Sequence, residues 1–220
     1  MKIIATWSGE CFKSSHVQSL ARQIERFAPL DDFLCITPEK IVGVDCRPGM
    51  YPWKGWWYKF NVFAPQIKGD VLYMDIDTVI TGSLEVITKV NRLTLLRDFY
   101  RDGKTRVGLG GRVLAEGLQA SLMMLPEADR MEVWYDWMKG PTAHMQRLGT
   151  KGDQPLLEQH YMSRAQRWQD VVPGQIVSWK VNCCGGSEFR KPAIPADARI
   201  IIFHGMPRPW DVPQFKDMYA

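Results

Sequence analysis

The chain has 220 residues, 45% hydrophobic and 24% charged, with a formal net charge of +4. That length makes one domain over 1–220 the expectation, with a core that buries roughly 70% of the surface the unfolded chain exposes. The mild charge with no basic block excludes a nucleic-acid track and suits an anionic small molecule. Five scattered cysteines without a Cys-x-x-Cys pair argue against structural zinc, and adjacent Cys183 and Cys184 read as reduced thiols. The opening apolar run is too short for a signal peptide, and no run approaches the ~20 residues of a membrane span. No transmembrane segment and a cytoplasmic location are therefore expected.

Ile3 to Trp7 reads as a buried strand, and Val17, Leu20, Ala21, Ile24 and Phe27 follow the three-and-four spacing of an amphipathic helix starting at Ser14 or Ser15. Phe33–Ile36 reads as a second strand and Ile41–Val44 as a short third. This strand–helix–strand opening predicts an α/β fold with a parallel sheet. A Trp-rich loop over 47–57 leads to a helix at Tyr58–Phe63. Val71–Met74 reads as the central strand, and a helix starts after Ser83 as cap. Leu93–Leu96 and Ser121–Leu125 read as strands on either side of a polar, Gly-rich loop over 97–111, expected to be mobile. Helices follow over Ala128–Lys139 and from the Gly152-Asp153-Gln154 turn to Tyr161. Ile176–Lys180 and Ile200–Phe203 read as the last strands.

Four groups of residues carry chemistry. Asp75 and Asp77 stand one residue apart at the carboxyl end of the central strand. In an extended chain both would point to one side, at the sheet edge where α/β folds place their ligands. Two converging carboxylates call for a compensating cation, and a divalent metal is the sharp reading; a surface turn is the plain one. Lys59, entering the sheet on a helix, suits a phosphate, or is simply solvated. Trp53, Trp56 and Trp57 offer a stacking platform for sugar or acceptor, or loop packing. Asp153 and Gln154 suit the hydroxyls of a polar substrate; a helix cap is the plain alternative for Asp153. Phe203-His204-Gly205-Met206-Pro207-Arg208-Pro209-Trp210 delivers an imidazole, which with carboxylates suits a first-row metal such as Mn²⁺, and a guanidinium suited to phosphate.

Taken in order, Lys2–Trp7, Gly55-Trp56-Trp57-Tyr58-Lys59-Phe60, Val71–Ile80, Gly152-Asp153-Gln154, Ser178-Trp179-Lys180 and the His204–Trp210 turn resemble the nucleotide-sugar glycosyltransferases of GT-A fold, close to family 8 and its short bacterial and phage members. The resemblance implies a GT-A fold: a single Rossmann-like mixed sheet flanked by helices. It implies Mn²⁺ (or Mg²⁺) held by Asp75, Asp77 and His204, and a nucleoside-diphosphate sugar, most readily a UDP-sugar, as donor. Thr6, Trp7, Lys59, Asp75, Ile76 and Arg208 would then meet the donor, with Arg208 standing where the family has Lys. Asp153 and Gln154 would serve catalysis at the donor sugar, and transfer would retain anomeric configuration. The family's Asn-(Ser/Ala)-Gly segment matches Gln119-Ala120-Ser121 only loosely. The acceptor, whether carbohydrate, lipid-linked or protein, is unspecified. A metal-dependent nucleotidyltransferase or phosphohydrolase, and a non-catalytic carbohydrate-binding protein of the same fold, stay open on these residues.

Overall fold

The structure, a computed structural model, describes residues 1–104, 106–107, 112–186 and 191–219. In chain order its strands are β1 (Lys2–Thr6), β2 (Asp32–Ile36), β3 (Cys46–Arg47), β4 (Val71–Met74), β5 (Thr78–Ile80), β6 (Thr94–Arg97), β7 (Arg106–Val107), β8 (Arg112–Val113), β9 (Leu118–Leu125), β10 (Gln166–Arg167), β11 (Ile176–Ser178) and β12 (Ile200–Ile202). Its α-helices are α1 (Ser14–Phe27), α2 (Glu85–Thr88), α3 (Glu127–Met138), α4 (Pro141–Leu148), α5 (Gln154–Tyr161) and α6 (Trp168–Val171).

Seven strands form the main sheet in the order β10-β6-β9-β4-β1-β2-β3. β3, β2, β1 and β4 run parallel, and β9 lies antiparallel between β4 and β6. The period-two alternation of a strand divides the core. Val71 and Tyr73 face a cluster with Phe60, Met123 and Trp137, while Leu72 and Met74 face one with Leu20, Ile24 and Trp168. β4 is buried on both faces, so it reads as a continuous apolar run. Helix α1 covers the second face with Val17, Leu20 and Ile24.

On the first face, Trp137 of α3 stacks on Phe60 at 3.8 Å, within a 3₁₀ helix over Gly55–Phe63. Arg130, fully buried, donates to the carbonyls of Val62 (3.0 Å), Ile67 (2.9 Å) and Gly69 (2.6 Å). The carbonyls of buried Val62 and Ile67 gain a partner in this way, so this one side chain ties down the loop that launches β4.

The expected strand at Ile41–Val44 is a turn; the edge pairing falls instead on Cys46–Arg47. Helix α4 was not expected, since its sequence lacks a clear apolar stripe, yet Pro141 begins it at N1. The strand expected over Ile176–Lys180 stops at Ser178 and becomes a short π-helix over Trp179–Cys183. Ser83 is not the cap of α2: Leu84 takes that position without a side-chain cap bond, and Ser83 Oγ, one residue further out, accepts from Glu85 N at 3.2 Å. Of the loop expected over 97–111, residues 106–107 pair with 112–113, and 105 and 108–111 lie outside the described residues.

The mixed α/β sheet is as expected, but not every strand joins it. β5 and β12 pair antiparallel, with Thr78 opposite Ile202, and β11 lies parallel beside β12. This small second sheet decides where the site forms. Outward from the Thr78–Ile202 pair lie Asp77 on one chain and Phe203-His204 on the other, so residues over a hundred apart in sequence arrive side by side.

Candidate functional site

Asp75 and Asp77 do not lie on an extended strand. β4 ends at Met74, and the chain turns over Asp75–Asp77, with Thr78 N donating to Asp75 O at 3.1 Å. The same-side expectation fails as geometry, yet both carboxylates line one polar cavity of about 190 Å³, since the turn folds them toward the end of β12.

Asp75 Oδ1 accepts from Tyr73 OH at 2.7 Å and lies 3.2 Å from Lys59 Nζ. The same ammonium lies 2.9 Å from Asp153 Oδ2 and 3.4 Å from the Ala120 carbonyl. Lys59 is thus neither solvated nor turned to a phosphate: it is buried and clamps two carboxylates from different elements. Burial works against its charge, but Asp153 and Asp75 more than offset that, and its pKa lies above the usual lysine range. Tyr73 is also pushed up, first by burial and then by Asp75, so its hydroxyl stays a donor. Asp153 makes no cap hydrogen bond at the start of α5; the cap reading fails because its carboxylate faces inward to Lys59. Gly152 reaches this turn at φ +69, a left-handed conformation suited to glycine.

Asp77 is 4% exposed, and its carboxylate pairs with Arg208. Burial, and then the Asp75 charge, push its pKa up to about 6 against the pull of Arg208. Arg208 also stands 5.3 Å over the Phe12 ring, and its backbone N–H is held by Asp211 Oδ2 at 3.0 Å. His204 Nε2 and Ser178 Oγ share a 2.7 Å hydrogen bond, with the imidazole between Phe99 (centroids 5.9 Å) and Tyr100 (5.1 Å). Burial and then Lys180 lower its pKa, leaving the ring neutral at pH 7.

A second cavity, of about 360 Å³, adjoins the first and shares Lys59, Asp75, Asp77, Asp153 and Arg208 with it. Thr6, Trp7 and Ile76 line it, as do Phe12 and Trp56. Trp7 and Ile76 also belong to the apolar core at 5% and 2% exposure, and Thr6 Oγ1 bonds Tyr73 OH at 3.2 Å. Of the three tryptophans, Trp53 and Trp57 pack on Trp137, and Trp56 is the exposed one, at 51%. Gln154 and Gln119 both line the polar cavity, and Gln154 Nε2 donates to the Leu118 carbonyl. Apart from Trp53 and Trp57, the candidate residues expected from sequence line these two cavities. Tyr73 was missed, though it sits two residues before Asp75 in a strand, where side chains share a face. Phe12, Phe99 and Tyr100 carried no signal beyond being aromatic.

The donor set can be tested against a metal. Two carboxylates and a neutral imidazole on one cavity suit Mn²⁺ or Mg²⁺ in type, and a buried, incompletely compensated Asp77 is a place where a cation would be stabilised. Among the described residues, however, no three His, Cys, Asp or Glu side chains converge in metal-binding geometry. Arg208 holds Asp77 and Ser178 holds His204. The residue types fit a metal, with Asp77 Oδ2 and His204 Nε2 already engaged by Arg208 and Ser178.

No protein-family model matches the sequence. No curated protein matches it either. Solved structures do. A galactosyltransferase, LgtC, in complex with donor and acceptor sugar analogues aligns with a TM-score of 0.64 and 13% identity over 100% of this chain and 95% of its own. The glycosyltransferase GlyE of Streptococcus pneumoniae aligns with a TM-score of 0.63 and 13% identity, over 99% of this chain and 59% of its own. The bifunctional glycosyltransferase WbbM gives 0.57 at 13% identity, over 100% of this chain and 48% of its own. The chain therefore has the GT-A glycosyltransferase fold. It spans about half to three-fifths of the length of GlyE and WbbM. Among the described residues no helix is long and apolar enough to cross a membrane.

Proposed function

We propose that this protein is a metal-dependent glycosyltransferase that moves a sugar from a nucleoside-diphosphate sugar, a UDP-sugar first, to an acceptor hydroxyl. The observation that carries this reading is the meeting of Asp75, Asp77, His204 and Arg208 on one polar cavity beside a larger one. The larger cavity, walled by Trp7, Phe12 and Trp56, would hold the nucleoside, and the polar cavity the diphosphate and sugar.

In transfer, the bond from the anomeric carbon to the β-phosphate oxygen breaks with its electron pair going to the diphosphate. A new bond forms to the acceptor oxygen, whose proton passes to the departing phosphate. A cation held by Asp75, Asp77 and His204 would supply charge stabilisation to the leaving group. Arg208 would turn from Asp77 to the diphosphate and offset the same charge. Asp153, fixed by Lys59, and Gln154 would position the sugar hydroxyls. The family resemblance carries retention at the anomeric carbon.

The test is mass-spectrometric screening of nucleotide sugars with Mn²⁺, beside thermal melting with Mn²⁺ and UDP. One donor should be slowly hydrolysed to nucleoside diphosphate, and UDP should raise the melting temperature only with metal. Asp77→Ala should abolish that shift and lower turnover by about 10²–10³. Release of pyrophosphate or nucleoside monophosphate overturns the proposal in favour of nucleotidyl transfer or phosphohydrolysis.

A further inference from the structure

β3 closes one edge of the main sheet and is two residues long. It runs parallel to β2 in a register that sets Cys46 opposite Cys35. That register is pinned on both sides of the pair: Cys35 N donates to Asp45 O at 2.9 Å, and Thr37 N to Arg47 O at 2.8 Å. Residues opposite each other on neighbouring strands present their side chains on one face. Both thiols accordingly belong to the core that α1 covers. Cys35 is fully buried in it, and Cys46, partly exposed, packs against it. Burial, and then the nearby Cys46, hold the Cys35 thiol well above the usual cysteine range. Neither cysteine lines the two cavities of the candidate site.

The spacing suits a bridge. Neighbouring strands lie about 4.7–4.9 Å apart, inside the roughly 4.4–6.8 Å between the Cα atoms of bridged cysteines. Their Cβ atoms stand about 3.5–4.5 Å apart, so closure asks for an inward shift of the order of 1 Å. An edge strand of two residues can supply it, since it is tied to the sheet on one side and follows a turn in which Val42 and Gly43 are exposed. Adjacent Cys183 and Cys184 are a poorer pair, because chain neighbours have Cα atoms about 3.8 Å apart, below the disulfide range.

We propose that Cys35 and Cys46 are a modification site, a dithiol that hydrogen peroxide converts into a disulfide stapling β3 to β2. Cys46, the partly exposed thiol, is the one the oxidant reaches. Its thiolate sulfur attacks a peroxide oxygen, the O–O bond breaks, and the second oxygen leaves as water once protonated, with Cys46 now a sulfenic acid. The Cys35 sulfur then attacks the Cys46 sulfur and gives up its proton, and the sulfenic hydroxyl leaves as the second water. Two thiols thus lose two electrons and two protons, and the peroxide takes them up. Burial keeps Cys35 protonated, which fits it to resolve the sulfenic acid rather than to meet the oxidant. The stapled edge backs the larger cavity, since Ile36 O of β2 accepts from Trp7 N at 2.9 Å. The site does not depend on the glycosyl-transfer reading.

The test is peptide mapping by mass spectrometry of the folded full chain, treated with hydrogen peroxide, alkylated and digested with trypsin, beside hydrogen exchange on the same samples. Cleavage after Arg26, Lys40 and Lys54 puts the two cysteines on separate peptides, 27–40 and 41–54, because the Arg47–Pro48 bond resists trypsin. The two peptides should appear joined, two hydrogens lighter than their sum, and come apart in dithiothreitol. The amides of Cys35 and Thr37, which donate to the β3 side, should exchange about tenfold more slowly in the bridged protein. Cys46→Ser should lose the joined pair and leave Cys35 reduced, whereas Cys11→Ser should keep it. Oxidation of Cys46 onward to sulfinic acid without a joined pair overturns the proposal, as does a pair that forms only in urea. Faster exchange of the two amides in the bridged protein overturns the staple.

Discussion

The two halves of the cleft are held in place differently. The acid half belongs to the main sheet: Asp75 follows β4, Tyr73 and Lys59 reach it from buried positions, and Lys59 ties it to Asp153 at the start of α5. The C-terminal half stands on the small sheet, whose three strands are three residues each, and it ends in a turn with exposed Met206. Of its candidate site side chains, Arg208 leans across on Asp77, and His204 bonds Ser178 at the end of the same small sheet. One half thus carries its counterion within it, and the other pairs its guanidinium with a carboxylate from outside the turn. That contrast suits a site whose rigid wall positions a sugar while the opposite wall receives a cation and a diphosphate.

The sharpest way to break the comparison is Lys59→Met. The substitution keeps the volume and removes the charge, leaving Asp75 and Asp153 facing each other in a buried place. Breaking a buried pair costs about 3–5 kcal/mol, because the uncompensated carboxylates must either stay ionised without a partner or take up protons. Urea unfolding at pH 7 should show a loss of that size, with the slope of the transition unchanged. A loss under about 1 kcal/mol would mean that the clamp is a surface-like pair and that the acid half is no more fixed than the other.

Much of the acid half was legible in the sequence, for a physical reason. A strand buried on both faces is a continuous apolar run, and two acids at its end stand out against it. The C-terminal half was legible only as a motif. Nothing local to Ile200–Ile202 says that it leaves the main sheet to pair with Thr78–Ile80, because strand pairing depends on partners far away in the chain. Roles were harder than positions. Lys59 reads as a solvated lysine or a phosphate ligand until Asp75 and Asp153 are seen on either side of it. Asp153 reads as a cap until its carboxylate is seen turned inward. Burial is what reassigns both, and burial is a property of the fold rather than of the segment.

A smaller effect sharpens the other side of the comparison. Ser178 Oγ and Val181 N meet at 3.1 Å, and the same hydroxyl holds His204 Nε2. Ser178→Ala removes both bonds and should lower stability by about 1 kcal/mol. If His204 is free to exchange partners, Mn²⁺ affinity measured by titration should stay level or rise, since the imidazole no longer has to leave a hydroxyl. A fall in Mn²⁺ affinity would show that Ser178 orients the ring for the metal, as outer partners of metal-binding histidines do. The C-terminal half would then be as preset as the acid half.

The smallest expected effect is a pH dependence outside the cleft, at the joint that supports the C-terminal turn. His16 of α1 stacks on Trp210 with ring centroids 3.7 Å apart and planes 12° apart, and meets Phe12 and Tyr219 edge-on. Burial, and then Lys13, lower its pKa, with Asp211 opposing. A histidine lowered in the fold binds its proton more weakly there than in the unfolded chain. The native state therefore loses stability as pH falls below the unfolded value of about 6.5, and none above it. His16→Phe keeps an aromatic ring against Trp210 and removes the titration, so melting temperatures measured from pH 8 to pH 5 should fall less steeply in the variant than in the wild type. The joint carries Arg208 two residues before Trp210, so in the wild type the same pH drop should also loosen the turn that holds Arg208 against Asp77. Parallel pH curves for the two proteins would show that the His16 charge is met equally in both states, and the C-terminal half would owe its looseness to its short strands alone.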